Sequence, residues 1–169
     1  MTHDQKLVAV GAIAGVLFML MSVWLLQQVL IAPVAISAAD RLAYAAKWDA
    51  IAAVPFFLML ISVGNARFLS QAIDPTLGKE SDSLLVNGRV ADNTTQQLLL
   101  FLVGSLALSL VVAGNRLSVI AAGAITFVIV RIAFWIGYRI KPVHRAFGFA
   151  GTGSLNLAFL ASALWLSFR

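Results

Sequence analysis

The chain has 169 residues, of which 61% are hydrophobic and only 11% are charged, and its apolar residues come in long unbroken blocks. A soluble domain carries about a quarter charged residues, so this composition excludes one and describes a membrane protein the size of a single small bundle. The net charge of +5 does not signal nucleic acid, because the Lys and Arg sit in short segments between apolar blocks, where membrane proteins carry the charges that set their orientation.

The expected fold class is an all-α integral membrane helical bundle of five spans. The first, Leu7 to about Val34, is free of charge and follows Lys6. It is longer than the ~7–15 apolar residues of a signal-peptide core, which points to a retained membrane helix. Gly11-x-x-x-Gly15 within it has the spacing that lets helices approach closely. The second span runs from about Ala50 to Ala66, between Asp49 and Arg67. It is short against the ~20 residues a bilayer requires, and reaches Ala72 if Arg67 snorkels. A long loop, about Ser70 to Asp92, holds the turn-formers Asp74-Pro75 and Gly78-Lys79. The third span runs from near Asn93 to near Asn115, the fourth from Ser118 to Tyr138, and the fifth from Ala146 to Phe168. Trp24, Trp48, Trp135 and Trp165 fall mostly near span ends, as interfacial anchors do.

With five spans, Lys6, Arg67, Lys79, Arg89, Arg139, Lys141 and Arg145 fall on one side, and Arg41, Lys47, Arg116 and Arg169 on the other. The richer side is expected in the cytoplasm, with the N-terminus inside and the C-terminus outside. There is no cysteine, which excludes disulfides, thiolate nucleophiles and zinc–thiolate sites. Two histidines, His3 and His144, are too few for a histidine-built metal site, so no metal is expected.

Arg131 stands apart. It lies inside the fourth span, where a guanidinium facing lipid costs several kcal/mol. It must therefore face protein, a water-filled cavity or an anion. Phe134, Tyr138 and Arg145 follow at helical spacing, so one helix face would carry all four. Pro142 is expected to end or kink that helix and to place Arg145 at the start of the fifth span. Arg139, Lys141 and Arg145 also read as ordinary topology-setting charge. A second constellation is Arg89, Asn93 and Gln96, a cation and two amides on one face. Such a face suits a carboxylate or peptide-like ligand. It is equally the polar start of a membrane helix, and spacing alone favours that plainer reading. Arg67, at the end of the second span, is by itself an interfacial anchor.

Spans two to five resemble the MAPEG family, the membrane-associated proteins of eicosanoid and glutathione metabolism. The resemblance is carried by Arg89-x-x-x-Asn93-x-x-Gln96 and by Arg131, Phe134, Tyr138 and Arg145, with Gly137-Tyr138 and Arg145-Ala-Phe-Gly-Phe149 in support. It implies a four-helix bundle over residues 50–169, with residues 1–49 as an extra N-terminal transmembrane helix and loop. It also implies a homotrimer with glutathione, the co-substrate, held between neighbouring subunits near the cytoplasmic face. Arg89, Asn93, Gln96, Arg131, Phe134, Tyr138 and Arg145 would bind glutathione, and Arg67 would stabilise its thiolate, since a nearby cation lowers a thiol pKa. The expected activity is a glutathione transferase or peroxidase on lipophilic electrophiles that arrive from the bilayer. Gln96 stands where the family has a glutamate, and Phe134 where several members have a tyrosine. Two rival expectations are a non-catalytic MAPEG-like protein that binds a lipid or partner, and a small anion transporter or channel subunit with Arg131 on the anion path.

Overall fold

Five runs of apolar sequence become five long helices because, in lipid, the backbone must satisfy its own hydrogen bonds. The computed structural model describes residues 1–35 and 37–169, the side chain of Pro75 aside. The helices are α1 (His3–Val29), α2 (Ala38–Phe68), α3 (Asp82–Val111), α4 (Ser118–Ile140) and α5 (Ala146–Ser167). The shortest has 22 residues and the longest 31. At about 1.5 Å per residue, each is long enough for a hydrocarbon core of roughly 30 Å. Among the described residues, five helices are long and apolar enough to cross a membrane.

Two starts differ from expectation, and for related reasons. α2 begins at Ala38 rather than Ala50 because Ser37 and Asp40 cap it reciprocally: Ser37 Oγ accepts from the Asp40 amide at 3.1 Å, and Asp40 Oδ2 accepts from the Ser37 amide at 2.9 Å. The charged residues that argued for a loop are absorbed by packing. Arg41 Nη1 donates to the carbonyls of Ser109 at 3.0 Å and Val112 at 2.6 Å, capping the C-terminal end of α3. Asp49 is buried inside α2, and Trp48 lies well within the helix rather than near an end. The boundary expected at residue 50 therefore falls inside α2. Likewise α3 begins at Asp82, not Asn93, with Ser81 Oγ accepting from the Leu84 amide at 3.3 Å.

α2 packs on α3 and α4, and α5 packs on α3 and α4. Phe101 anchors the core, its ring centroid 4.8 Å from Phe127 and 5.5 Å from Phe159. α1 packs on α5 and α4. Its Gly15 lies so close to α5 that a Cβ would collide with the Phe147 carbonyl, the close approach expected of the glycine pair. Ser22 Oγ and Thr126 Oγ1 share a hydrogen bond of 2.9 Å, and Lys141 Nζ lies 3.0 Å from Asp4 Oδ1. α1 is thus held to the bundle at three levels along its length.

Gly15→Leu is expected to destabilise the bundle by about 1–3 kcal/mol, as overpacking does, measured by thermal unfolding in detergent. Gly64→Ala, where a Cβ meets nothing within 4 Å, should leave stability unchanged or slightly raised.

Candidate functional site

Arg131 is fully enclosed, with 0% of its surface exposed. Among the described residues, its charge is met by neutral acceptors. Nε donates to Thr152 Oγ1 at 2.9 Å, Nη1 to Asn93 Oδ1 at 3.0 Å and to Thr94 Oγ1 at 3.5 Å, and Nη2 to the Gly148 carbonyl at 3.2 Å. The guanidinium also lies 4.2 Å from the Phe134 ring centroid, a favourable cation–π position. The Gly148 carbonyl is within reach because Gly148 has no side chain; a Cβ there would strike the Val130 carbonyl and Phe134 of α4. Arg131 thus ties α3, α4 and α5 together.

The stripe continues toward the end of α4. Phe134 and Tyr138 meet edge to face at 5.7 Å. Pro142 ends the helix, and the chain makes a short 3-10 turn, Pro142–Arg145, before α5. Arg145 therefore belongs to the turn, yet its Nη1 donates to Tyr138 Oη at 2.7 Å and its guanidinium sits 4.9 Å from the Tyr138 ring. The spacing was read on one continuous helix; the turn returns the side chain to the same place.

Beside this stripe lies a cleft of about 490 Å3, within the range of small-molecule sites. Its walls are mostly apolar, and its polar groups come from Asn93 and Arg145. Asn93 Oδ1 is held by Arg131, which turns its amide nitrogen into the available donor. Phe134 forms part of the wall, and Arg131 and Tyr138 lie directly behind. Asn93, Phe134 and Arg145 are thus brought together, while Arg67, Arg89 and Gln96 are not on this cleft.

Arg89 and Gln96 are exposed on the outer face of α3, with Asp92 beside them. Arg67 is engaged by Glu80, Nη2 to Oε1 at 2.7 Å. Arg131 is enclosed by protein and is not among the residues that line the cleft; it touches the cleft through Asn93 and Phe134. Sequence reasoning missed Thr152 and Thr94. Thr152 sits among small residues and Thr94 within the polar stretch of Asn93 and Gln96, so neither stands out by type; the sign is an intramembrane arginine needing neutral acceptors. It also missed Val8 and Ala12 of α1, which line the cleft.

A model described as the MAPEG family matches residues 7–165, a stretch that takes in α1 as well as α2 to α5. No curated protein and no solved structure matches the chain.

Arg131→Met should destabilise the protein by about 3 kcal/mol or more, since each buried acceptor left without a donor costs roughly 1–3 kcal/mol. Arg131→Lys should not restore it, because a point-like ammonium cannot replace a planar fork that serves two helices besides its own. Thermal unfolding of both variants in one detergent checks this.

Proposed function

The chain belongs to the MAPEG family, and from that premise we propose that it is a glutathione transferase or peroxidase acting on lipophilic electrophiles. The observation that carries this reading is the convergence of Asn93, Phe134 and Arg145 on one cleft, at the end of the bundle that also bears Lys6, Arg139 and Lys141. Arg145 would grip a glutathione carboxylate, a charge-assisted pairing that guanidinium geometry favours. The free amide N–H of Asn93 would donate to a carbonyl or carboxylate oxygen. Tyr138 Oη accepts from Arg145 and so holds that guanidinium in place beside the cleft. Glutathione's thiol would lose its proton to water, and the thiolate, favoured by the nearby cations, would attack the electrophile and displace its leaving group.

A second wall would come from a neighbouring subunit in a homotrimer. In support, Gln96 lies near the middle of α3, a membrane-crossing helix, and yet is exposed. Polar side chains at such depth face protein or water rather than lipid. Arg89, Asp92 and Gln96 form a polar stripe that such a neighbour would cover. Gln96 can accept one hydrogen bond from the glutathione ammonium but brings no charge, so weak binding is expected. The excess of Lys and Arg at this end supports a cytoplasmic side for the cleft.

One observation favours a second reading, a non-catalytic family member that binds a lipid or partner in the same cleft. Arg67 is already paired with Glu80, and it must exchange that partner before it can serve a thiolate.

Titration with glutathione, followed by calorimetry and thiolate absorbance, separates the two. Binding at roughly millimolar Kd is expected, with Arg145→Ala weakening it about ten-fold, or 1.4 kcal/mol. Gln96→Glu should tighten binding, and Arg67→Ala should chiefly reduce thiolate formation. Absence of any heat at millimolar glutathione would contradict the transferase reading.

A further inference from the structure

We propose that α1 builds the lipophile-binding part of the cleft, that Val8 and Ala12 decide which molecule fits, and that the occupant is a compact aromatic lipophile. The assignment rests on the reading of the cleft given above, but its geometry is independent of glutathione. Val8 and Ala12 are four residues apart on α1 and so share one face, and both line the cleft. That wall is fixed rather than loose. The Asp4–Lys141 ion pair pins the start of α1 next to the turn that supplies Pro142 and Arg145, and Gly15 seats the helix on Phe147 one turn beyond Ala12.

The cleft has two unlike ends. Its polar groups, Asn93 and Arg145, come from α3 and the turn, whereas the α1 side offers only Val8 and Ala12. A glutathione held by the polar groups would leave the α1 side for its partner in the reaction. The ring exposed at the space is Phe149, 47% accessible, with the Arg145 guanidinium also on the wall, while the Phe134 ring gives its face to Arg131. Rings stack on rings and under guanidinium groups, so a flat aromatic molecule gains contacts here that a flexible acyl chain does not. Ala12 is the small residue of the wall on α1, and any larger side chain there enters the space. Without α1, the same groups would face lipid tails directly, and the site would have no means of choosing among apolar molecules.

The absence of cysteine makes the test clean. Three single-cysteine proteins, Val8→Cys, Ala12→Cys and Val10→Cys, are placed in lipid nanodiscs and alkylated with N-ethylmaleimide, with naphthalene or dodecane as the added probe. Val10 is 65% exposed on the far side of the same helix and serves as the lipid-facing control. Naphthalene at about ten times its Kd should slow alkylation at positions 8 and 12 about ten-fold, and leave position 10 unchanged. Ala12→Phe should abolish saturable binding of tritiated naphthalene, with thermal unfolding confirming that the variant is folded. Equal protection at all three positions, no protection at position 12, or protection by dodecane and not naphthalene would overturn the proposal. Glutathione calorimetry on the same proteins keeps the two readings apart. Protection at position 12 with no glutathione heat supports the subsite while removing the transferase reading, and glutathione binding without protection does the reverse.

Discussion

A guanidinium at membrane depth with no carboxylate beside it has to be satisfied by neutral oxygens, and they must come from several directions at once. Arg131 meets that condition through Asn93 and Thr94 of α3 and through Gly148 and Thr152 of α5. The consequence is geometric. Helices α3 and α5 can stand only where their oxygens reach the fork of a side chain rooted in α4. Hydrogen bonds from a charged donor are worth roughly 1.5–3 kcal/mol each, and at a buried position their loss leaves unmet acceptors as well as an unmet charge. The cage also sets two groups of the cleft, since it orients the Asn93 amide and holds Phe134 under the cation.

Polar contacts elsewhere do smaller versions of the same work. Arg41 satisfies the last carbonyls of α3, Trp135 Nε1 donates to Asn87 Oδ1 at 3.0 Å, and Asn156 Nδ2 reaches the Gln97 carbonyl and Oε1 at 2.9 and 2.8 Å. Apolar packing alone has little directional preference in a membrane, because lipid tails are as apolar as leucine. These contacts therefore fix register. α1 follows the rule too, with a glycine contact to α5 at its middle and a hydroxyl pair to α4 about two turns further on. It joins the bundle as a working wall of the cleft.

Much of this was legible in the residues. The number of spans, the all-helical class and the family followed from apolar blocks and from two spaced motifs. The Arg131, Phe134, Tyr138 and Arg145 stripe was visible at its true spacing, although Pro142 puts the last of them on a turn. The starts of α2 and α3 were not legible, because Arg41, Asp49 and Arg89 look like loop residues by type, whereas Arg41 caps α3, Asp49 is buried within α2 and Arg89 lies exposed on α3. Ser37 and Ser81 were the signals that were present and passed over. The cage around Arg131 could be inferred only as a need. Which oxygens meet it depends on how α5 crosses α4, and that is set by Gly148, whose role appears only when the two backbones are seen in contact. The contribution of α1 to the cleft was invisible for the same reason, since Val8 and Ala12 are ordinary lipid-compatible residues by type.

The central claim is that Arg131 is an enclosed, charged crosspiece that holds α3, α4 and α5 together. Solid-state nuclear magnetic resonance on protein with 15N-labelled arginine side chains, in bilayers, measures this most directly. The account predicts an Arg131 guanidinium signal with through-space contacts to Thr152 and Asn93, and no exchange with water or new contact when glutathione is added. Rapid exchange with water, or direct contact between that guanidinium and glutathione or lipid phosphate, would contradict it.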